Sequence, residues 1–401
     1  MKTPATTLQK PHYELLDGLR GVAAVMVICY HLFEGFATSP VDQRFNHGYL
    51  AVEFFFVLSG FVIGYAYDDR WGRMTQADFF RRRLVRLHPM VVMGVLLGTL
   101  SYCLQGRVQW DGTPVAWSSL AVAVAMSLLM LPVWPGSRFD VRGHAEMFPL
   151  NGPTWSLFFE YIGNIAYALC LRRLSTRHLS VVVLLSAIGY AGYAVGNGSG
   201  CYHMGVGWSL ADNNLPGGLL RLSFGFSVGL LLSRVFMARQ AEREEGKVLL
   251  LNLPLPSPGW VFLLCSALIC AAFSAPYIGS EVNPWNGAYD AVCTLVLFPL
   301  VVWVAASAKP YGVAEATKPA GFRPALSGAR LCKFMGDISY PVYVVHYPSL
   351  YLFYAWLWSK ESVPPFADVW PVAVGLLLGN ICLAWLCLKF YDLPVRRWLS
   401  S

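Results

Sequence analysis

LLDGLRGVAAVMVICYH, residues 15–31, is the stretch whose reading decides the fold. Arg20 enters an apolar run and, with ten residues between them, the same run delivers His31. A helix rising 1.5 Å per residue would separate the two by roughly 16 Å, about half of a bilayer's hydrocarbon thickness. Ionisable groups at that depth are costly and mark a pathway or a site. The alternative is an arginine snorkelling near a helix end and a histidine capping the helix in the opposite interface. On this pair alone both readings stand.

The rest of the chain makes the surroundings a bilayer. Of 401 residues 56% are hydrophobic and 13% charged, and the mean hydropathy is +0.49. A soluble domain carries about 25% charge, so the expected fold is an all-α polytopic membrane protein. Fourteen Trp and twenty Tyr suit a chain with two membrane interfaces to furnish. The net charge of +7 does not point to nucleic acid, because the basic residues cluster at the ends of apolar runs. Eight of the ten cysteines lie in or beside apolar runs, and Cys201 sits in a polar loop. No CxxC pair or zinc spacing occurs, so neither a disulfide framework nor a metal site is expected. The first eighteen residues lack a signal peptide's apolar core and cleavage site, so the first run is expected to be a retained helix.

Apolar runs long enough to span fall at 18–36, 49–67, 90–106, 117–133, 153–171, 180–196, 215–236, 259–276, 286–307, 334–356 and 368–388. The basic connections are 68–86, 172–178, 238–247 and 308–333, together with the tail VRRWLSS. The weakly charged connections are 37–48, 197–214, 277–285 and 357–367. They alternate if both termini are cytoplasmic, which needs an even number of crossings. Eleven runs cannot satisfy that. The conflict falls in 90–171, and the Ser- and Ala-rich run 117–133, followed by a long polar stretch, is the segment that does not cross. We therefore expect about ten transmembrane helices plus one re-entrant or tilted helix near 117–133, in a single integral-membrane domain over 1–401.

Three further stretches could carry chemistry. In ADFFRRRLVRLHPM (77–90), Arg81, Arg82, Arg83 and Arg86 crowd a helical stretch at the membrane surface. Arg83 and Arg86 share a helix face and could grip one polyanion, or the cluster could merely enforce topology and touch anionic lipid. In NGPTWSLFFEYIGNIAY (151–167), Glu160 lies within an apolar run and needs a partner: a histidine, an arginine or a substrate hydroxyl. In FMGDISYPVYVVHYPSLY (334–351), His346 lies mid-membrane shortly after a proline. It is either a hydrogen-bonded core histidine or the second wall of a cavity shared with His31.

Together these blocks resemble a known family. DGLRGVAAVMVICYH is similar to the arginine–ten residues–histidine signature of the membrane-bound acyltransferase-3 family. The resemblance continues through FFFVLSGFVI (54–63), FFRRRLVRLHP (79–89), PTWSLFFE (153–160), ISYPVYVVH (338–346) and YDLPVRRWL (391–399), in order and nearly end to end. It implies transfer of an acyl group, often acetyl, from acyl-CoA to a hydroxyl of a sugar or glycoconjugate, in a stand-alone form without an appended esterase-like domain. Carried over, His31 matches the essential histidine, Arg20 its paired arginine, and Arg83 with Arg86 the Arg-x-x-Arg motif. Glu160 and His346 match recurrent positions. Position 88 departs from the pattern, with His88 where an aromatic is usual.

The expected mechanism has His31 as general base, with Glu160 or a backbone carbonyl fixing its tautomer; a covalent acyl-histidine is the competing route. Arg20 would stabilise the thioester oxyanion or position the CoA pyrophosphate, while Arg83, Arg86 and Arg82 would hold CoA phosphates. Acyl-CoA enters as a substrate, and no permanently bound cofactor is expected. The other expected partners are a carbohydrate acceptor and membrane lipids, and the expected location is a bacterial inner membrane. The rivals are an acyltransferase acting on a small molecule or lipid, a glycolipid transporter or flippase, and a structural subunit of a polysaccharide synthesis complex. No inverted repeat favours the transporter.

Overall fold

The computed structural model describes residues 13–245, 255–280, 282–308 and 328–401. The described residues form eleven helices and no strand. These are α1 (Glu14–Glu34), α2 (Ala51–Tyr67), α3 (Gln76–Leu104), α4 (Trp117–Leu128), α5 (Thr154–Leu169), α6 (Thr176–Val195) and α7 (Asn214–Glu244). They are followed by α8 (Pro258–Ser274), α9 (Pro284–Ser307), α10 (Gly328–Trp358) and α11 (Phe366–Ser400). Most of the basic linker expected at 308–333, and the middle of 237–258, lie outside the described residues.

Seven of these helices are long and apolar enough to cross a bilayer: α1, α2 with its preceding turn, α3, α6, α7, α9 and α11. The 31-residue α10 has the length but carries more polar groups. At 1.5 Å per residue the 16 residues of α5 and 17 of α8 cover about 24–26 Å, a little under the hydrocarbon thickness. The twelve residues of α4 cover about 18 Å and cannot cross. That helix packs on α3, and the chain then runs as a folded loop through 129–153. Run 117–133 is thus the irregular segment, and its backbone is tolerated because it packs on protein.

Helix packing is set by small residues where backbones must approach. A methyl group added at Gly21 would run into the backbone carbonyl of Met335, so only glycine lets α1 lie directly against α10. Gly229 plays the same part between α7 and the Val57 carbonyl of α2. The α2–α7 pair also holds a fully buried ion pair, Glu53 with Arg221: Nε donates to Oε1 at 2.6 Å and Nη2 to Oε2 at 2.8 Å.

One end of the bundle is basic. Here Arg234 on α7 reaches Asp68 after α2 at 2.9 Å, and Arg81 on α3 donates to the Leu399 carbonyl at 3.1 Å. The start of α1 belongs to this end as well, since Tyr13 packs edge-on against Phe61, Tyr65 and Phe236. Both ends of the described chain therefore lie on the face that carries the α3 arginines.

Candidate functional site

Eleven positions are three helical turns plus about 20°, so Arg20 and His31 fall on one face of α1 at different depths. That face meets α10. Arg20 donates from Nε to Ser339 Oγ at 2.8 Å and from Nη2 to the Gly336 carbonyl at 3.2 Å, and pairs with Asp17 at 3.2 Å. Three turns further on, the His31 ring stacks on His346 with centroids 5.6 Å apart, and the edges of Tyr347 and Tyr30 close in at 4.7 and 4.8 Å.

Each of the two residues opens on its own chamber. The basic chamber, about 900 Å³ counting its open mouth, is lined by Arg20, Arg83, Arg86 and Glu160 with a largely apolar wall including Phe55, Phe56, Val62 and Leu157. The histidine chamber, about 870 Å³ counting its open mouth, is lined by His31, Glu34, Glu146, His144, Trp155, Trp208, Tyr30 and Tyr347 among others, with Arg221, held by Glu53, in its wall. Among the described residues two line both, Val52 and Tyr343. The chambers therefore adjoin at these two residues, the neck between them, with Arg20, Arg83 and Arg86 on one side and His31 on the other.

His31 Nδ1 lies 2.8 Å from Glu34 Oε2. An ionised carboxylate can only accept, so Nδ1 carries a proton, and in the neutral ring the lone pair falls to Nε2. Glu34 Oε2 also accepts from the Tyr354 hydroxyl at 3.3 Å, and that hydroxyl donates to the His31 carbonyl as well. The tautomer partner is therefore Glu34, not Glu160. Position i+3 on one helix face is a signal the sequence reading passed over.

Glu160 serves the other chamber. Arg83 donates from Nη2 to Glu160 Oε1 at 2.7 Å and from Nε to Asn164 Oδ1 at 2.6 Å, and Ser59 Oγ donates to the same Glu160 oxygen at 3.1 Å. Arg83 is thus buried and largely committed to protein partners. Arg86, one turn on, is exposed at the chamber wall. Arg82 is exposed and lines neither chamber; the face it occupies on α3 is not the one that Arg83 and Arg86 share. His88 packs away from both, its Nδ1 3.2 Å from the Tyr161 hydroxyl.

His346 is fully buried and lines neither chamber. Its Nδ1 lies 2.8 Å from the Tyr343 carbonyl and 3.1 Å from that of Val342, so this nitrogen carries the proton. The two histidines do meet, but His346 acts as a flat support for the His31 ring.

The returning loop 129–153 closes the histidine chamber, and nothing in its sequence pattern announces this. Pro348 on α10 has no N–H to offer the Val344 carbonyl four residues back, and Asn151 Nδ2 donates to that carbonyl instead, at 2.8 Å. Buried Arg142 donates to the Pro149 carbonyl at 2.6 Å and lies 3.4 Å over the Tyr351 ring. Glu146 accepts from the Tyr351 hydroxyl at 2.6 Å. Burial pushes its carboxyl up to about 7, against the lowering pull of Arg142 and of that hydroxyl. Among the described residues no three His, Cys, Asp or Glu side chains group as metal ligands would.

Known proteins place this architecture. A family model described as an acyltransferase domain, acyltransferase 3, matches residues 13–389. "Protein 2 in picA locus" of Rhizobium radiobacter is 34% identical over 184 residues, covering 43% of this chain and 90% of that protein. "Acyltransferase MdmB" of Streptomyces mycarofaciens is 29% identical over 39% of this chain and 38% of its own length. "O-acetyltransferase OatA" of Staphylococcus aureus is 21% identical over 95% of this chain. The chain spans only 57% of that last relative's length. No solved structure matches. With the family model running from the start of α1 into α11, the chain belongs to the acyltransferase-3 family of integral membrane acyltransferases.

Proposed function

We propose that this protein transfers an acyl group, acetyl in the first instance, from acyl-CoA to a hydroxyl of a sugar or glycoconjugate. The donor enters at the basic end, which faces the cytoplasm across a bacterial inner membrane, and both termini lie on that side. The observation that carries the reading is the pair of chambers adjoining at Val52 and Tyr343, with Arg20, Arg83 and Arg86 on one side and the imidazole paired with Glu34 on the other. An amphipathic donor suits the first chamber: guanidinium groups for phosphate oxygens at the mouth and an apolar wall for the pantetheine arm. A polyhydroxylated acceptor suits the second, where Trp155, Trp208 and His144 offer flat faces and Glu34 and Glu146 offer carboxyl oxygens.

In the reaction, His31 Nε2 takes the proton of the attacking hydroxyl as the C–O bond forms, and Glu34 stabilises the imidazolium. The proton then goes to the departing CoA sulfur. Arg20 and Arg86 hold the donor, and Arg83 shapes the wall through Glu160. The printed name of the Staphylococcus aureus relative, an O-acetyltransferase, supports the acetyl group and the oxygen acceptor. The test is His31→Ala in the producing cell, with mass spectrometry of surface glycans. The O-acyl mass disappears while the protein stays in the membrane at its normal level. Undiminished O-acylation would remove His31 from the chemistry, and solute flux without thioester cleavage would favour a transporter.

A further inference from the structure

The reaction just proposed leaves one charge without a partner. His31 can take a proton only from a hydroxyl within hydrogen-bond reach of Nε2, and that hydroxyl must touch the thioester carbon. The reacting carbonyl therefore sits in the histidine chamber or at its neck. Arg20 lies roughly 16 Å down the helix axis, and the Cα–Cβ bonds of a helix tilt toward its N-terminus, away from His31. Its guanidinium is also tied to Ser339 and Gly336. It cannot reach the carbonyl oxygen on which negative charge develops.

Of the two residues common to both chambers, Val52 has no donor and Tyr343 has one. The Tyr343 hydroxyl lies 2.6 Å from Ser156 Oγ, whose residue lines the basic chamber, and 3.2 Å from the carbonyl of Pro153, which lines the histidine chamber. Ser156 Oγ is 3.1 Å from the same carbonyl. Two hydroxyl protons and one carbonyl acceptor thus sit together where the two chambers adjoin. The ring is held edge-on by Phe55 at 5.5 Å.

We propose that Tyr343 is a further catalytic residue: its hydroxyl turns from the Pro153 carbonyl and donates to the thioester carbonyl oxygen as the tetrahedral intermediate forms. Ser156 donates to the phenol oxygen in turn. An oxygen lone pair of the acceptor forms the new C–O bond, the carbonyl π pair moves onto oxygen, and His31 takes the hydroxyl proton. When the π bond re-forms the C–S bond breaks, and the sulfur takes the proton from His31. Tyr343 keeps its own proton throughout. The assignment rests on the function proposed above and adds the group that its chemistry lacks.

The test is Tyr343→Phe in proteoliposomes carrying envelope extract of the producing cell as acceptor, followed by thiol release from acetyl-CoA. Phe keeps the ring in the neck and removes only the donor. Loss of one oxyanion donor lowers kcat about 10²–10³-fold, while the Kd for radiolabelled acetyl-CoA stays within about twofold, since donor binding is not an oxyanion-donor effect. Ser156→Ala lowers kcat less, about tenfold, and reads the same relay if the Phe variant is poorly folded. A kcat within threefold of wild type in either variant, with the donor still bound, overturns the assignment. His31→Ala run alongside separates the two readings. A dead His31 variant beside an active Tyr343→Phe sinks only the oxyanion assignment; an active His31 variant sinks the proposed function itself.

Discussion

Replacing Glu34 by Gln removes one charge from the site and little else. Glu34 Oε2 lies 2.8 Å from His31 Nδ1, and the carboxylate side chain is 40% exposed. Two unit charges about 4 Å apart are worth ~1 kcal/mol in water and ~4 kcal/mol at an effective dielectric constant of 20. The exposure places this pair toward the lower part of that range, roughly 1.5–3 kcal/mol. In the proposed reaction the imidazolium forms as His31 takes the hydroxyl proton, so the loss falls on the transition state and not on donor binding. At 1.36 kcal/mol per factor of ten, kcat drops about 10–100-fold, with KM for acetyl-CoA unchanged. The amide oxygen of Gln can still accept from Nδ1–H and hold the ring. Glu34→Ala loses that as well and falls further. The assay is the initial rate of thiol release from acetyl-CoA in proteoliposomes with envelope extract. Wild-type kcat in both variants would refute the reasoning, because the carboxylate would then have no part in forming the imidazolium.

Other perturbations address other parts of the account. Arg86→Ala, on the exposed mouth of the basic chamber, raises KM for acetyl-CoA about tenfold at unchanged kcat; an unchanged KM would make that arginine topological. Glu53→Ala leaves buried Arg221 without its carboxylate and costs about 3–5 kcal/mol, seen as a lowered Tm of the detergent-solubilised protein; an unshifted Tm contradicts it. Glu146 has its folded-state carboxyl raised from 4.5 to about 7. Its contribution to stability is therefore full below pH 4.5 and lost as the pH rises through about 7, a cost of roughly 3 kcal/mol for the buried ionised form. Glu146→Gln thus raises Tm relative to wild type at pH 8 and leaves it nearly unchanged at pH 5; an equal shift at both pH values would show that burial of the charge is not the cause.

The readable parts of the site were those written as spacing along one helix. Arg20 and His31 sit on one face because eleven positions are nearly three turns, and run 117–133 was legible as non-crossing because charge alternation demanded an even count. Glu34, three positions after His31, obeys the same rule and could have been read from it. Arg83 was harder: its commitment to Glu160 and Asn164 is a contact between α3 and α5 that no local pattern encodes. Its neighbours show how fine the distinction is, since Arg82 and Arg86 look alike in sequence and only Arg86 reaches the chamber. Glu146 and His144 were not legible at all, because a loop's path depends on side-chain hydrogen bonds such as Asn151 to the Val344 carbonyl. The neck formed by Val52 and Tyr343 joins residues almost three hundred positions apart, and only the docking of α2 and α10 on the first helix makes it visible.

The central claim is that the two chambers are one passage in which a donor held at the basic end is attacked at the histidine end. Val52→Trp tests it most directly, because it fills the space where the two chambers adjoin and leaves Arg20, Arg86, His31 and Glu34 themselves unaltered. Binding of radiolabelled acetyl-CoA and thiol release are measured on the same purified preparation. The account predicts a Kd within about threefold of wild type and turnover reduced more than about a hundredfold, since the thioester can dock but no longer meet the base. Donor binding and turnover both at wild-type levels would mean that acyl groups do not pass between these chambers.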